Sequence, residues 1–268
     1  MDFKNKKVLI TGGASGIGKI MARKSLERGI SDLVIWDINE EGLAKTKEEF
    51  STFGILISTY KVDVSVLDEI KSNAQKVKTE VGKIDILINN AGIVVGKYFH
   101  ENTHLDIQKT MLINSNALMH IALEFLPEMM KTNSGAICNI ASSAGLISNP
   151  KMAVYAASKW AVNGWSDSLR LEMEQLQKNI SITTIMPFYI NTGMFDGVKS
   201  KLIPILEPEP TAEKIIKAVE NKRKILAMPL PYWFIRLSQG LLPLPIFDWV
   251  MENIFGVYDT MKYFKGRK

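Results

Sequence analysis

Seven short apolar runs are spaced along the chain, with longer amphipathic stretches between them. They read KKVLIT (6–11), DLVIWD (32–37), ILISTYKVD (55–63), IDILINN (84–90), GAICNIAS (135–142), ISITTIM (180–186) and KILAM (224–228). Runs this short and this apolar predict strands buried on both faces. The intervening segments predict helices over 16–29, 39–53, 65–81, 103–131, 152–177 and 211–222, with Ser65 as the N-cap of the third. Strand–helix alternation with right-handed crossovers implies an α/β fold. The expected form is a Rossmann-like doubly wound parallel sheet of about seven strands, helices on both faces. One catalytic domain over 1–228 would carry this pattern, including an irregular loop at 188–210 with three prolines and two glycines. Residues 229–268 would be an apolar, aromatic helical extension of it.

Hydrophobic residues form 46% of the chain, enough for a sizeable core. The single cysteine, Cys138, excludes an internal disulfide framework and a multi-thiolate zinc site. That usage suits a reducing, cytoplasmic setting. Lys4, Lys6 and Lys7 precede only three apolar residues, too few for a signal peptide. No stretch offers the roughly 20 uncharged apolar residues of a membrane span. The net charge of +5 comes from lysines mixed with acids, as in NEEGLAKTKEEF, so nucleic acid is not an expected partner. His100 and His104 stand four apart without a third ligand, and no metal is expected. His120 lies in an apolar helical stretch and reads as a packed residue. No G-x-S-x-G elbow is present, so an esterase would lack its nucleophile.

The chemistry begins at TGGASGIG, Thr11 to Gly18, between the first strand and the first helix. Glycines there allow a tight turn and close backbone approach to a pyrophosphate, and the helix start adds free N–H groups. Gly12, Ser15, Gly16, Ile17 and Gly18 are the candidates; an ordinary glycine-rich turn is the plainer reading. Asp37 follows Gly18 by 19 residues and ends the second strand. A carboxylate there can accept from the ribose hydroxyls and would repel a 2′-phosphate, which favours NAD over NADP. It could instead only cap the next helix.

YAASK places Tyr155 and Lys159 on one helical face. A neighbouring cation should lower the phenol below its usual value near pH 10 and fit it for acid–base work. Such pairs are also common on solvent-facing helices. Together with the glycine loop, NNAG (89–92) and SSAG (142–145), the pair resembles the short-chain dehydrogenase/reductase family in its single-domain branch. The likeness extends from about Lys6 to Met228.

The resemblance implies Tyr155 as the acid/base and Lys159 as its pKa-lowering partner and nicotinamide-ribose ligand. Ser142 would hydrogen-bond the substrate oxygen, with Ser143 as the alternative. Asn114 in LINSNA would anchor a water linking Lys159 to solvent, with Asn116 as its rival. Asp63 would meet the adenine, and Asn90 would steady the sheet and line the cleft. Ile190 and Thr192 would meet the carboxamide. Val64, Ala91, Gly92 and Pro187 complete the expected cofactor contacts; Phe188 and Met194 join Ser142 and Tyr155 at the substrate. Phe188 departs from the family's usual glycine in PFYINTGM and puts the pocket's shape in question.

The extension has only Arg236 as a charge between Ile225 and Phe247. Pro229, Pro231, Pro243 and Pro245 break it into short pieces. Ile246, Val250 and Ile254 repeat at helical spacing, as do Phe247 and Met251; Lys262, Lys265, Arg267 and Lys268 close the chain. It either packs over the substrate cleft or a subunit interface, or touches a membrane surface peripherally. It also resembles the tails of family members acting on retinoids, steroids and other lipophilic alcohols. The loop over 194–208 reads as a mobile lid or as a plain surface loop. The expected activity is NAD-dependent hydride transfer between the cofactor and a lipophilic alcohol/carbonyl pair. The rivals are an NAD-binding sensor or scaffold without turnover, a sugar epimerase or dehydratase of the same superfamily, and a peripheral membrane-binding protein. Family habit implies a homodimer or homotetramer.

Overall fold

In chain order the elements are β1 (Lys7–Thr11), α1 (Gly16–Leu26), β2 (Asp32–Asp37), α2 (Glu40–Phe50), β3 (Leu56–Lys61), α3 (Leu67–Glu80) and β4 (Ile86–Asn89). Then follow α4 (His104–Met111), α5 (Ala117–Thr132), β5 (Gly135–Ile140), α6 (Ala153–Gln175), β6 (Ile180–Pro187), α7 (Pro208–Glu220) and β7 (Ile225–Met228). The computed structural model describes residues 1–229 and 231–266.

Alternation along the strands builds two cores. Val8 and Ile10 of β1 face one way with Leu33 and Ile35 of β2 and Ile86 and Ile88 of β4. Leu9, Val34, Trp36 and Leu87 face the other. Helices α1, α2 and α7 cover the first face with Met21, Leu43 and Ile215; α3, α5 and α6 cover the second with Ile70, Phe125 and Leu169. The seven strands are all parallel, in the order β3-β2-β1-β4-β5-β6-β7. The chain therefore reverses direction across the sheet between β1 and β4. That switch point opens a crevice beyond the carboxyl ends of the two strands, where ligands bind in such folds.

Helices α1 and α2 end three residues earlier than the sequence expectation, and three further departures have a local cause. Ser65 does not cap α3: its N–H and hydroxyl both bond to Asp63, and Val66 takes the cap position without a side-chain bond. Helix α7 starts at Pro208, because prolines at 208 and 210 sit in the first turn, where a missing N–H costs nothing. The stretch expected as one helix over 103–131 is divided by a π-helical turn, Leu112–Asn116.

The extension forms α8 (Pro231–Leu241) and α9 (Leu244–Trp249), a π turn (Val250–Ile254) and a 3-10 turn (Val257–Asp259). Phe247 and Met251 point inward; Ile246 and Ile254 point outward. Leu230, Arg267 and Lys268 lie outside the described residues. Among the described residues no helix is long and apolar enough to cross a membrane.

Candidate active site

The switch point is tied together by polar groups. Thr11 Oγ1 accepts from the backbone N–H groups of Asn90 (2.9 Å) and Ala91 (3.0 Å). The Asn90 amide donates to the carbonyls of Thr11 (2.9 Å) and Gly12 (3.2 Å). This locks the end of β4 onto the start of the glycine loop. The loop closes tightly on itself: a Cβ on Gly18 would lie 2.1 Å from the Gly12 carbonyl oxygen. Gly12 and Gly16 hold positive φ of 65° and 54°, which side chains resist. Helix α1 has no side-chain cap at Ser15 and no acidic residue in its first turn. Its first N–H groups are left for another acceptor, and the positive end of the helix favours an anion. The residues present thus fit a dinucleotide pyrophosphate.

Asp37 lies at the cleft and is held on both oxygens. Oδ2 accepts from Ala14 N and Oδ1 from Asn39 N, each at 3.0 Å. Asn39, not Asp37, caps α2, accepting from Gly42 N. Asp63 uses Oδ1 on Ser65 and gives its own N–H to Glu69 at 2.7 Å.

All the residues expected at cofactor or substrate line one cleft of about 340 Å³, and Ser143 joins them. Asn114 is the exception among the expected site residues. Helix α6 carries Tyr155 and Lys159 one turn apart, 7% and 4% exposed. The Lys159 Nζ is 5.7 Å from the centroid of the Tyr155 ring and donates to the Ile140 carbonyl at 2.8 Å. Burial pushes the Lys159 ammonium down to about 8. It pushes the Tyr155 phenol up to about 12, and the hydrogen bond from Ser142 offsets only part of that rise. The expected lowering of Tyr155 is therefore reversed. Desolvation is the largest influence on the phenol, and one N–H of the nearby ammonium is directed at β5 instead. Ser142 Oγ also accepts from Ala144 N at 3.1 Å, which fixes its direction.

Asn114 stands behind the cleft in the π turn, fully buried. Its Oδ1 accepts from Ile93 N at 2.8 Å, and its amide donates to Ile93 O (2.9 Å) and Ser158 Oγ (3.2 Å). Asn116 is exposed. A Cβ on Gly92 would fall 3.3 Å from Asn114 Oδ1 and 3.8 Å from Lys159 Nζ. A bare glycine thus keeps a small polar gap open between the two side chains.

Phe188 lines the cleft and meets Tyr189 edge-on at 4.5 Å. Tyr189 packs on Phe195 at 5.0 Å, and Phe195 on Tyr155 at 6.1 Å. Sequence reasoning singled out Phe188 and missed Tyr189; the available hint was a second aromatic beside the first. It also missed Ser158 and Ile93, whose only signals were adjacency to Lys159 and to Gly92. His100 stacks on Tyr98 at 6.1 Å, away from any catalytic assignment.

The profile described as short chain dehydrogenase matches residues 6–202. Over 266 residues the chain is 36% identical to epidermal retinol dehydrogenase 2 of Mus musculus, covering 97% of this chain and 85% of that protein. A short-chain dehydrogenase/reductase from Burkholderia phymatum, solved in complex with NAD, matches with a TM-score of 0.82 and 25% identity over 90% of this chain and 95% of that one. A short-chain dehydrogenase from Sphingobium yanoikuyae, in complex with NADPH, matches with a TM-score of 0.78 and 25% identity over 88% and 94%. With that profile spanning most of the chain and a relative 36% identical over 97% of it, the chain that sets a glycine loop against a buried tyrosine–lysine pair belongs to the short-chain dehydrogenase/reductase family.

Proposed function

We propose that the protein is an NAD-preferring dehydrogenase or ketone reductase acting on a lipophilic alcohol/carbonyl pair of the retinoid or steroid kind. The single observation that carries the reading is Ser142, Tyr155 and Lys159 meeting in one cleft with the glycine loop. A protein that only sensed or bound the dinucleotide would need none of the three. When bound, the nicotinamide supplies the hydride acceptor or donor. Ser142 holds the substrate oxygen. In oxidation the hydroxyl proton passes to Tyr155 as the carbon gives up hydride; in reduction Tyr155 returns that proton. Lys159 would turn from Ile140 to hold a ribose hydroxyl and place positive charge by the phenol, which would lower it. The gap at Gly92 suits a proton-carrying water between Lys159 and Asn114.

The NAD preference rests on Asp37. The carboxylate lines the cleft at the end of β2, where it would meet the adenosine ribose, and among the lining residues Lys159 is the only lysine or arginine. Lys61, opposite Asp37 in the sheet register, is already paired with Glu40 at 3.0 Å. The substrate class rests on the apolar walls of Leu146, Phe188, Phe195, Ile203 and Ile235, and on the retinol dehydrogenase likeness.

The extension supports peripheral contact with a lipid surface. Helix α8 turns Ile235 inward and leaves Trp233, Phe234, Leu237 and Leu241 exposed; α9 exposes Leu244 and Trp249. Lys262 and Lys265 of the extension add positive charge, as do Lys199 and Lys201, which reach its Tyr263 ring and Asn253 carbonyl. A homodimer would cover the apolar groups left out on the long helices, Leu123 of α5 and Trp160 and Leu171 of α6.

The deciding experiment is a paired NAD(H)/NADP(H) activity screen over retinoids, steroids, long-chain alcohols and small ketones. Cofactor binding with no turnover of any of them would leave the sensor reading standing instead.

A further inference from the structure

Residues 257–266 run back across the domain as a strap, and two glycines receive it. Gly96 and Gly197 have φ of 70° and 82°. A Cβ on Gly96 would lie 2.1 Å from a ring carbon of Phe264; a Cβ on Gly197 would lie 2.1 Å from the carbonyl oxygen of Tyr263. Lys265 N donates to Asp196 O at 2.8 Å, and Lys199 N to Thr260 O at 3.3 Å. Gly96 follows Gly92, and Gly197 follows Thr192 and Met194. The strap is therefore seated in two notches on segments that continue from the cleft.

Between the notches three polar side chains close a hydrogen-bonded ring. Thr260 Oγ1 gives its one proton to Val257 O at 2.8 Å. The Tyr189 hydroxyl must then donate to Thr260 Oγ1, at 2.9 Å. The Asn149 amide nitrogen lies 3.0 Å from both oxygens, which are themselves 2.9 Å apart, so one N–H is shared between them. Asn149 belongs to the segment between Ser142 and Tyr155, Tyr189 to the cleft wall, and Thr260 to the strap. Met261, next in the chain, packs in the same buried cluster as Tyr155 and Tyr189. Neither hydroxyl has a donor left to offer a substrate, so together they hold the Tyr189 ring still. That ring starts the edge-on series that reaches Tyr155 through Phe195.

We propose that Thr260 is a positioning residue that sets substrate specificity. By fixing the Tyr189 hydroxyl it fixes the aromatic wall against which a long apolar alcohol lies. A short alcohol that reaches only Ser142 and Tyr155 does not use that wall. The inference rests on the lipophilic-alcohol reading above.

The test compares wild type with Thr260→Val, which keeps the shape and removes the hydroxyl, and with Thr260→Ser, which restores it. All-trans-retinol and cyclohexanol are the probes. Thr260→Val should raise KM for retinol about five- to tenfold, the equivalent of one neutral hydrogen bond. Its kcat should stay within about twofold, and kcat/KM for cyclohexanol should not move, because the chemistry is untouched. Thr260→Ser should behave as wild type. Gly197→Ala, which unseats the strap from outside the cleft, should repeat the Thr260→Val pattern. Retinol affinity, read by its fluorescence, judges the wall even if neither alcohol is turned over. Equal retinol affinity in all four proteins overturns the proposal. So does a wild type that binds no retinol, or a parallel fall for both alcohols.

Discussion

Lys159 Nζ donates a 2.8 Å hydrogen bond to the carbonyl of Ile140, the last residue of β5. A buried ammonium with one neutral partner is a poorly solvated charge, and the group is held down to about 8. The sign of the consequence follows. An unfolded lysine titrates near 10.4. Between about 8 and that value the unfolded chain binds the extra proton, so stability rises with pH across the window. Below it, the buried charge costs on the order of 3 kcal/mol. Lys159→Met should remove this rise. Denaturant unfolding of the cofactor-free protein at pH 7 and pH 10 should show wild type gaining on the variant. A constant gap between the two would refute the assignment.

Tyr155→Phe should lower turnover by about two to four orders of magnitude, the usual worth of a positioned acid/base. Cofactor binding, followed by fluorescence titration, should survive. Retained turnover would remove the phenol from the mechanism.

A hydrogen bond from Ser142 lowers the Tyr155 phenol. Ser142→Ala should therefore raise that pKa further. The rising limb of the oxidation rate against pH should move to higher pH, in addition to an overall loss of rate. An unshifted limb would mean that another group titrates.

Gly18→Ala would force a methyl to within 2.1 Å of the Gly12 carbonyl and 2.6 Å of the Asn90 amide. Backbone cannot yield as a flexible side chain does. A stability loss of about 1–3 kcal/mol and a collapse of dinucleotide affinity are expected. Thermal melting and calorimetric titration read the two effects separately.

Asp37→Ser should reduce the ratio of kcat/KM with NAD to that with NADP by about tenfold or more, as a like-charge clash disappears. The replacement also removes the acceptor of Ala14 N, so some affinity for both cofactors should be lost. An unchanged ratio would place cofactor choice elsewhere.

Replacing Trp233, Leu237 and Leu241 together with glutamate should abolish flotation with anionic vesicles. These side chains are exposed, so fold and cyclohexanol turnover should persist. Equal flotation of both proteins would exclude α8 as the lipid-facing surface.

The strands were legible because burial on both faces leaves no polar side chain to interrupt a run such as Val8-Leu9-Ile10. The cleft was legible where its parts lie within one turn or one loop, as with Tyr155 and Lys159. Pairings between distant segments were not. Asn149, Tyr189 and Thr260 come from three separate segments, and no local pattern announces their meeting. The raised Tyr155 was hidden for a related reason. Spacing reveals that an amine is near, but not that the surrounding cluster excludes water. Ser65 misled because a serine before a helix is more often a cap than a partner for the preceding aspartate.

The π turn at Leu112–Asn116 has a wider bearing. A turn of this kind accommodates one residue more than an α-helical turn. Shortening it by a single amino acid would let α4 and α5 fuse into one regular rod. Everything beyond the junction would then rotate by about 100° relative to what precedes it. Either Ile121, Phe125 and Met129 would leave the core, or Asn114 would swing off Ile93. The surplus residue acts as a phase shifter, letting one length of backbone serve the hydrophobic interior and the proton path at once.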